Sequence, residues 1–297
     1  MVSVFEFCYF QEISMSETCY RFCENGSQFR SIPKYHLERV IGSATFPGRR
    51  RIGLEENPDS VADEVIRNNL DEFCWSLYFE PEFLVRLFYS GFLPIARDLG
   101  LPNDPVYCLL PKLHFKRSVI DVENFQVSSS KRKKLNKSFP GCRVSVDASL
   151  EQVINFCLSQ HGDNNWLFPP LRKALSHINS HSGNGPVKVH SVEFTDPDGR
   201  IIAGDIGYEI GSIYTSMTGF YSASGAGSAL LYSLASWLKL KGFTTWDLGM
   251  EMDYKRDLGA KVLNRVEWIK KVRDERILSP LEVLSGSVLV KDLLVDL

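Results

Sequence analysis

From Ser60 onward, apolar residues recur at intervals that separate helices from strands. VADEVIRNNLDEF (61–73) has helical spacing, and EPEFLVRLFYSG sets Pro81 near a first turn and Gly91 at its end, the asymmetry expected of a helix. A Gly-Phe-Leu-Pro turn follows. SSSKRKKLNKS (128–138) reads as a basic helix, CRVSVD as a strand, and SLEQVINFCLSQ as a helix whose Ser149 to Gln152 spacing fits a capping box. After the loop HGDNNWLFPP, LRKALSHI reads as a further helix. VKVHSVEF, the turn PDGR and IIAGDIGYEI predict a hairpin, which SIYTSMTGFY extends into a sheet. ALLYSLASWLKLKG is the strongest helical pattern and closes on Gly242. FTTWDLGM then predicts a short strand, DYKRDLGA a helical segment and NRVEWIKK a last strand. Residues 1–60, with the run Arg49, Arg50, Arg51 and the turn-rich ENGS and ENPDS, give no regular pattern.

The order of three antiparallel strands, a Gly-rich turn, a helix and another strand resembles the GNAT-like (acyl-CoA N-acyltransferase-like) arrangement, an α+β fold. The expected division is an irregular N-terminal extension at 1–60, a small N-terminal α+β domain with the basic helix at 61–140, and a GNAT-like C-terminal domain at 141–297.

Composition narrows the function classes. The chain has 297 residues, 44% of them hydrophobic, enough for a substantial core. Its formal net charge of −2 gives no global field toward nucleic acid, so such a contact needs a local patch. The cysteines are 7, an odd number, and scattered, which points to reduced thiols and a cytoplasmic protein. The opening MVSVFEFCYFQEIS has neither a basic n-region nor a long apolar core, and no apolar run approaches the ~18 residues of a membrane span. A monomer without cofactor is expected. Cys8, Cys19, Cys23 and His36 lack the tight Cys-x2-Cys spacing of a zinc site.

Five groups carry candidate chemistry. In SASGAGS, Gly225 and Gly227 stand where a strand hands over to a helix, so backbone N–H groups can meet an anion there; close helix–sheet packing is the plainer use of such glycines. Lys131, Arg132, Lys133, Lys134 and Lys137 crowd one segment, either a solvated face or a phosphate-binding one. Asp247, at the end of a strand, is placed to face a crevice and accept a proton, or else to cap the next helical segment. Glu251, Asp253 and Asp257 follow as an acidic face. His190 has no assignable partner and reads as an ordinary strand histidine.

From about residue 72 to 273, separated segments resemble the leucyl/phenylalanyl-tRNA-protein transferases in order and spacing. FEPEFLVRLFYSGFLPI is similar to that family's early helix and Gly-Ile-Phe-Pro turn, LLPKLHFKR to its Pro-Arg segment, and FQVSSSKRKKLNKS to its basic His-x-Ser-Arg-Ser-Leu-Arg-Lys helix. NNWLFPPLRKAL resembles its Thr-Trp-Ile helix start, and HSVEF, GRIIAGDIGYEIGSIYTSM, SALLYSLASWLKLKGF and WDLGMEMDYKRDLGA continue the likeness. The resemblance implies aminoacyl-tRNA as donor, the N-terminal residue of an acceptor protein as recipient, and a place in N-degron protein degradation. It implies ester aminolysis with Asp247 and Ser216 as catalytic residues, Asp247 as amine-orienting group or base, with Trp166 stacking on the terminal base, Met217 and Gly249 binding substrate, and the basic helix holding the tRNA. Two residues differ from the family pattern: Gly249 replaces a Gln, and Ser216 aligns with a Glu. The alternatives are a CoA-dependent N-acyltransferase using Gly225 and Gly227, and an inactive module that binds N-termini or tRNA.

Overall fold

The computed structural model describes residues 20–24, 28–32, 41–42, 45–100, 105–181 and 185–294. Within the stretch expected to be irregular, strands β1 (Tyr20–Glu24) and β2 (Gln28–Ile32) pair antiparallel around ENGS, a hairpin that the turn signal alone marked. Cys8, Cys19, Cys23 and His36 fall among residues whose side chains lie outside the described ones.

Helix α1 (Pro58–Arg67) starts at Asn57, whose side chain accepts the Asp59 N–H, with Pro58 in the first turn. It stops six residues short of the predicted end, because Asn68 caps it and Asn69 takes a left-handed φ of 46°. Helix α2 (Pro81–Tyr89) buries Phe83, Leu84, Leu87 and Phe88 along one face. Gly91, at φ 86°, ends it where a Cβ would lie 2.8 Å from Ile269. Strands β3 (Leu93–Asp98) and β4 (Tyr107–Lys112) pair antiparallel, and Cys108 and Leu110 join Trp75 and Leu77 in a small core of their own.

The rest is built on eight strands in the order β11-β5-β10-β9-β8-β7-β6-β12. They are β5 (Lys116–Asp121), β6 (Arg143–Val146), β7 (Val187–Thr195), β8 (Ile201–Ile210), β9 (Ile213–Tyr221), β10 (Thr245–Asp247), β11 (Lys261–Asn264) and β12 (Gly286–Leu289). Every neighbouring pair is antiparallel except β9 and β10. The sheet begins with β5, so it crosses the domain boundary expected at residue 140.

Helices cover both faces. The basic helix α3 (Ser129–Ser138) buries Leu135 and sits with α6 (Ala226–Leu240) over Ile120, Val192, Phe194, Tyr214 and Trp246. On the other face, α4 (Leu150–His161) and α5 (Pro169–His181) cover Val189, Ile206, Tyr208 and Phe220. The short α7 (Asp253–Asp257) follows β10, and α9 (Val290–Leu293) ends the described chain.

Two sequence expectations are corrected. NRVEWIKK is not a strand: α8 (Arg265–Glu275) starts there, with a capping box between Asn264 and Glu267 and with Trp268, Ile269 and Val272 buried at helical spacing. Only β11, just before it, is extended. Ser149 forms no capping box, because the Ala148 and Ser149 N–H groups both donate to the buried Glu193 carboxylate, at 3.3 and 3.0 Å. Glu193 also accepts from Ser145 and Ser191, so it fixes the start of α4 in place of the cap.

Candidate active site

Because β10 is short, it pairs with β9 only from Ile213 to Thr215. Past Asp247 the chain leaves β9 for β5: Leu248 N–H donates to Ser118 at 2.9 Å and Ser118 N–H to the Gly249 carbonyl at 2.7 Å. Gly249 then turns at φ 73°, a left-handed conformation that favours glycine. From Ser216 to Tyr221, β9 therefore has no strand on that side among the described residues. Its free edge is met by α4, where His161 Nε2 lies 3.1 Å from the Gly219 carbonyl and Gln160 accepts the Tyr221 N–H. A bulge at Met217, between the pairs Gly207–Ser216 and Ile206–Thr218, bends β9 at the same point.

This split gathers four of the expected residues: Ser216 and Met217 on β9, Asp247 at the end of β10, and Gly249 just after it. Trp166 touches β3: its carbonyl accepts the Ala96 N–H at 3.2 Å, three residues along that strand from Leu93, whose side chain lies nearest Gly249. Trp166 is half-buried against the α4–α5 side of the sheet.

Asp247 does not face a crevice. It is 0% exposed, and Arg117, also 0% exposed, donates from Nε to its Oδ1 at 2.8 Å and from Nη2 to its Oδ2 at 2.7 Å. The Gly249 N–H takes the remaining approach to Oδ1 at 2.8 Å. Burial pushes the His114 imidazole down to about 2, with Arg117 adding to the effect, so His114 is neutral and its Nδ1 accepts from Arg117 at 2.8 Å. Arg117 also stacks over the Trp268 ring at 4.7 Å. The pair clamps β5 to β10 and fixes the Gly249 turn. Lys255, on α7, closes the far side by donating to the Leu248 and Met250 carbonyls; burial pushes its ammonium down to about 8.

On the α6 face of the same split stands a second carboxylate. Asp205 of β8 accepts from Ser216 Oγ at 2.9 Å and from Tyr214 Oη at 3.1 Å, both at Oδ2, and Ser216 in turn accepts from Trp246 Nε1 at 3.0 Å. Burial pushes the Asp205 carboxyl up to about 7 against the pull of those two hydroxyls. Sequence reading missed Asp205, Arg117, His114 and Lys255. The signal for Asp205 was an acid set between Gly204 and Ile206 in the mostly apolar run IIAGDIGYEI.

The basic helix lies on that same face. Phe139, capping its end, sits over Gly225, and Lys131 near its start lies 4.9 Å from the Tyr232 ring, so α3 runs alongside α6 toward its N-terminus. Arg132 is held by Ser129, and Lys133, Lys134 and Lys137 are exposed, with no carboxylate in ion-pair range among the described residues. The SASGAGS turn has Gly225 at φ 79° as the N-cap of α6, and a Cβ on Gly227 would press on the Tyr221 ring at 3.2 Å, which accounts for both glycines by conformation and packing. His190 does have partners: Asp147 at 2.7 Å and Glu209 at 3.4 Å. Among the described residues no cluster of His, Cys, Asp and Glu is spaced to hold a metal, and no helix is long and apolar enough to cross a membrane. A surface concavity lined by Glu56, Asp59, Val85, Arg86 and Tyr89 shares no residue with the split.

The family described as leucyl/phenylalanyl-tRNA protein transferase matches residues 119–273, a span that holds α3, the split, α6 and Asp247. The chain belongs to that family. A leucyl/phenylalanyl-tRNA–protein transferase of Psychrobacter arcticus is 24% identical over 240 residues, covering 79% of this chain and 80% of the relative. One of Hydrogenovibrio crunogenus is 27% identical over 188 residues, covering 62% of this chain and 68% of the relative. Among solved structures, L-PGS from Bacillus licheniformis aligns with a TM-score of 0.35 at 17% identity, over 63% of this chain and 57% of that one. The sequence resemblance to the family is thus shown.

Proposed function

We propose that this chain transfers an aminoacyl group, of the Leu or Phe kind, from aminoacyl-tRNA to the N-terminal α-amine of an acceptor protein, marking it for N-degron degradation in the cytoplasm. The observation that carries the reading is the family match over residues 119–273, which contains the β9–β10 split and the basic helix together. A parallel β9–β10 pair joined by α6 and opening past Thr215 supports a GNAT-like fold for the C-terminal part. A monomer fits the reading, in which one chain supplies the whole site.

In this account α3 neutralises tRNA phosphates with Lys131, Arg132, Lys133, Lys134 and Lys137. Trp166 stacks on the terminal base, giving about 1 to 3 kcal/mol. The aminoacyl ester enters the split between β9 and β10, against Met217 and Gly249. There the α-amine attacks the ester carbonyl, a peptide bond forms, and the terminal ribose oxygen leaves. Asp247 acts by position: with Arg117 it holds the end of β10 open and the Gly249 turn in place. Both of its oxygens are paired with Arg117 and it is fully buried, so it is closed to an incoming amine.

The test is incubation with a panel of radiolabelled aminoacyl-tRNAs and peptides of differing N-terminal residue. Label transferred to peptide from Leu- or Phe-tRNA supports the reading and names the acceptors. No transfer from any tRNA by folded protein, together with thermal stabilisation by acetyl-CoA, would replace it with the CoA-dependent reading; stabilisation by tRNA without transfer would leave a binding module.

A further inference from the structure

We propose that Ser216 receives the proton of the attacking α-amine, with Asp205 as the positioning residue that orients Ser216 and holds that proton through it. The inference rests on the transferase reading and names the proton acceptor that reading lacks once Asp247 is committed to Arg117.

Three observations carry it. First, Asp205 lies 5% exposed in a strand among apolar neighbours, where a carboxylate is costly, and among the described residues no cationic side chain is within ion-pair distance of it. Asp247, by contrast, has both oxygens taken by a guanidinium. Second, the Asp205 contacts are two hydroxyls on one oxygen. Tyr214 is held protonated by its burial and can only donate, so Ser216 is the exchangeable partner.

Third, Ser216 has a free acceptor position in the right place. A hydroxyl offers one proton and two lone pairs. Its proton goes to Asp205, one lone pair takes the Trp246 indole N–H, and one lone pair is left. Ser216 is half-buried on the part of β9 that β10 has abandoned, beside the Met217 bulge, so its hydroxyl lies at the edge of the split. The groups that bear on the Asp205 charge are Tyr214 on β9, Lys255 and Tyr254 on α7, and Cys157 on α4. Its carboxyl at about 7 suits a base working near neutrality.

The step balances. The neutral amine nitrogen bonds to the ester carbonyl carbon; one amine proton passes to Ser216 Oγ as the Ser216 proton passes to Asp205 Oδ2. On collapse the carbon–oxygen bond to the terminal ribose breaks. The two transfers reverse, delivering the proton to the departing ribose oxygen and leaving Asp205 ionised.

The experiment is steady-state transfer from Leu- or Phe-tRNA to an acceptor peptide across pH 5.5 to 9, for wild type, Asp205→Asn, Ser216→Ala and the double variant, with melting curves for each. Each single change lowers kcat about 100-fold or more, with KM within about threefold. Below both the Asp205 and the acceptor-amine titrations, log kcat/KM of wild type climbs with a slope of about two per pH unit, and that of Asp205→Asn with a slope of about one, since only the amine, at about 7.7 to 8.0, still titrates. The double variant is no slower than the slower single. Asp205→Asn at wild-type kcat with the slope unchanged overturns the proposal, as does full-rate Ser216→Ala should the Asp205 variant not fold. Absence of transfer by folded wild type instead overturns the transferase reading, and this inference with it.

Discussion

Cutting the Arg117–Asp247 clamp tests whether Asp247 is a structural element of the split. In Asp247→Ala the guanidinium of Arg117 stays 0% exposed and loses two hydrogen bonds, of 2.8 and 2.7 Å. An unpaired buried charge of this kind costs about 3 to 5 kcal/mol. No water reaches either group, so the figure needs no discount for screening, and added salt should leave it unchanged. At about 2 to 4 °C per kcal/mol for a chain of this size, the melting midpoint falls by roughly 6 to 20 °C. The apolar double variant Arg117→Met with Asp247→Leu removes both charges and recovers at least half of that loss. The assay is thermal unfolding followed by circular dichroism at pH 7, in low and high salt. An Asp247→Ala midpoint within about 2 °C of wild type would refute the reasoning. So would a double variant no more stable than either single.

Three further outcomes are expected. Replacing Lys133, Lys134 and Lys137 together by Ala lowers the slope of log affinity for tRNA against log salt by roughly 0.7 to 0.9 per lost phosphate contact, with the melting midpoint unmoved; an unchanged slope would remove α3 from the tRNA surface. Asp147 and Glu209 hold the buried His190 at about 9, above its usual 6.5 despite the opposing burial. Its contribution to stability is full below about 6.5 and is lost as pH rises through about 9, so His190→Gln should flatten the fall in denaturation midpoint across that window. In Gly207→Ala the new Cβ meets the Thr215 carbonyl oxygen at 2.6 Å, a backbone atom that cannot swing aside, and about 1 to 3 kcal/mol of stability is lost in urea unfolding.

The elements with strong periodicity were legible in the sequence: α2 from Pro81 and Gly91, α6 from its apolar spacing, and the β7–β8 hairpin from PDGR. The α8 helix was misread because VEWI looks like a strand in a short window, although Asn264 and Glu267 carried the helix-start signal three residues apart. Ser216, Met217, Asp247 and Gly249 were proposed together because the family resemblance set them side by side, and the structure places them around one split. Local pattern cannot show that Arg117, 130 residues before Asp247, closes on it, nor that Ser216 on β9 meets Asp205 on β8. Both depend on strand order, with β5 and β9 flanking β10 and β8 beyond β9. His190 looked unpartnered for the same reason: Asp147 and Glu209 come from the β6–α4 turn and from β8.

The central claim is tested most directly by mass spectrometry of an acceptor peptide after incubation with the protein and Leu- or Phe-tRNA, using one peptide with a free N-terminus and one acetylated. The account predicts a gain of one amino-acid residue at the N-terminus of the free peptide and none on the acetylated one. An unchanged free peptide in the presence of folded protein and intact aminoacyl-tRNA would contradict it.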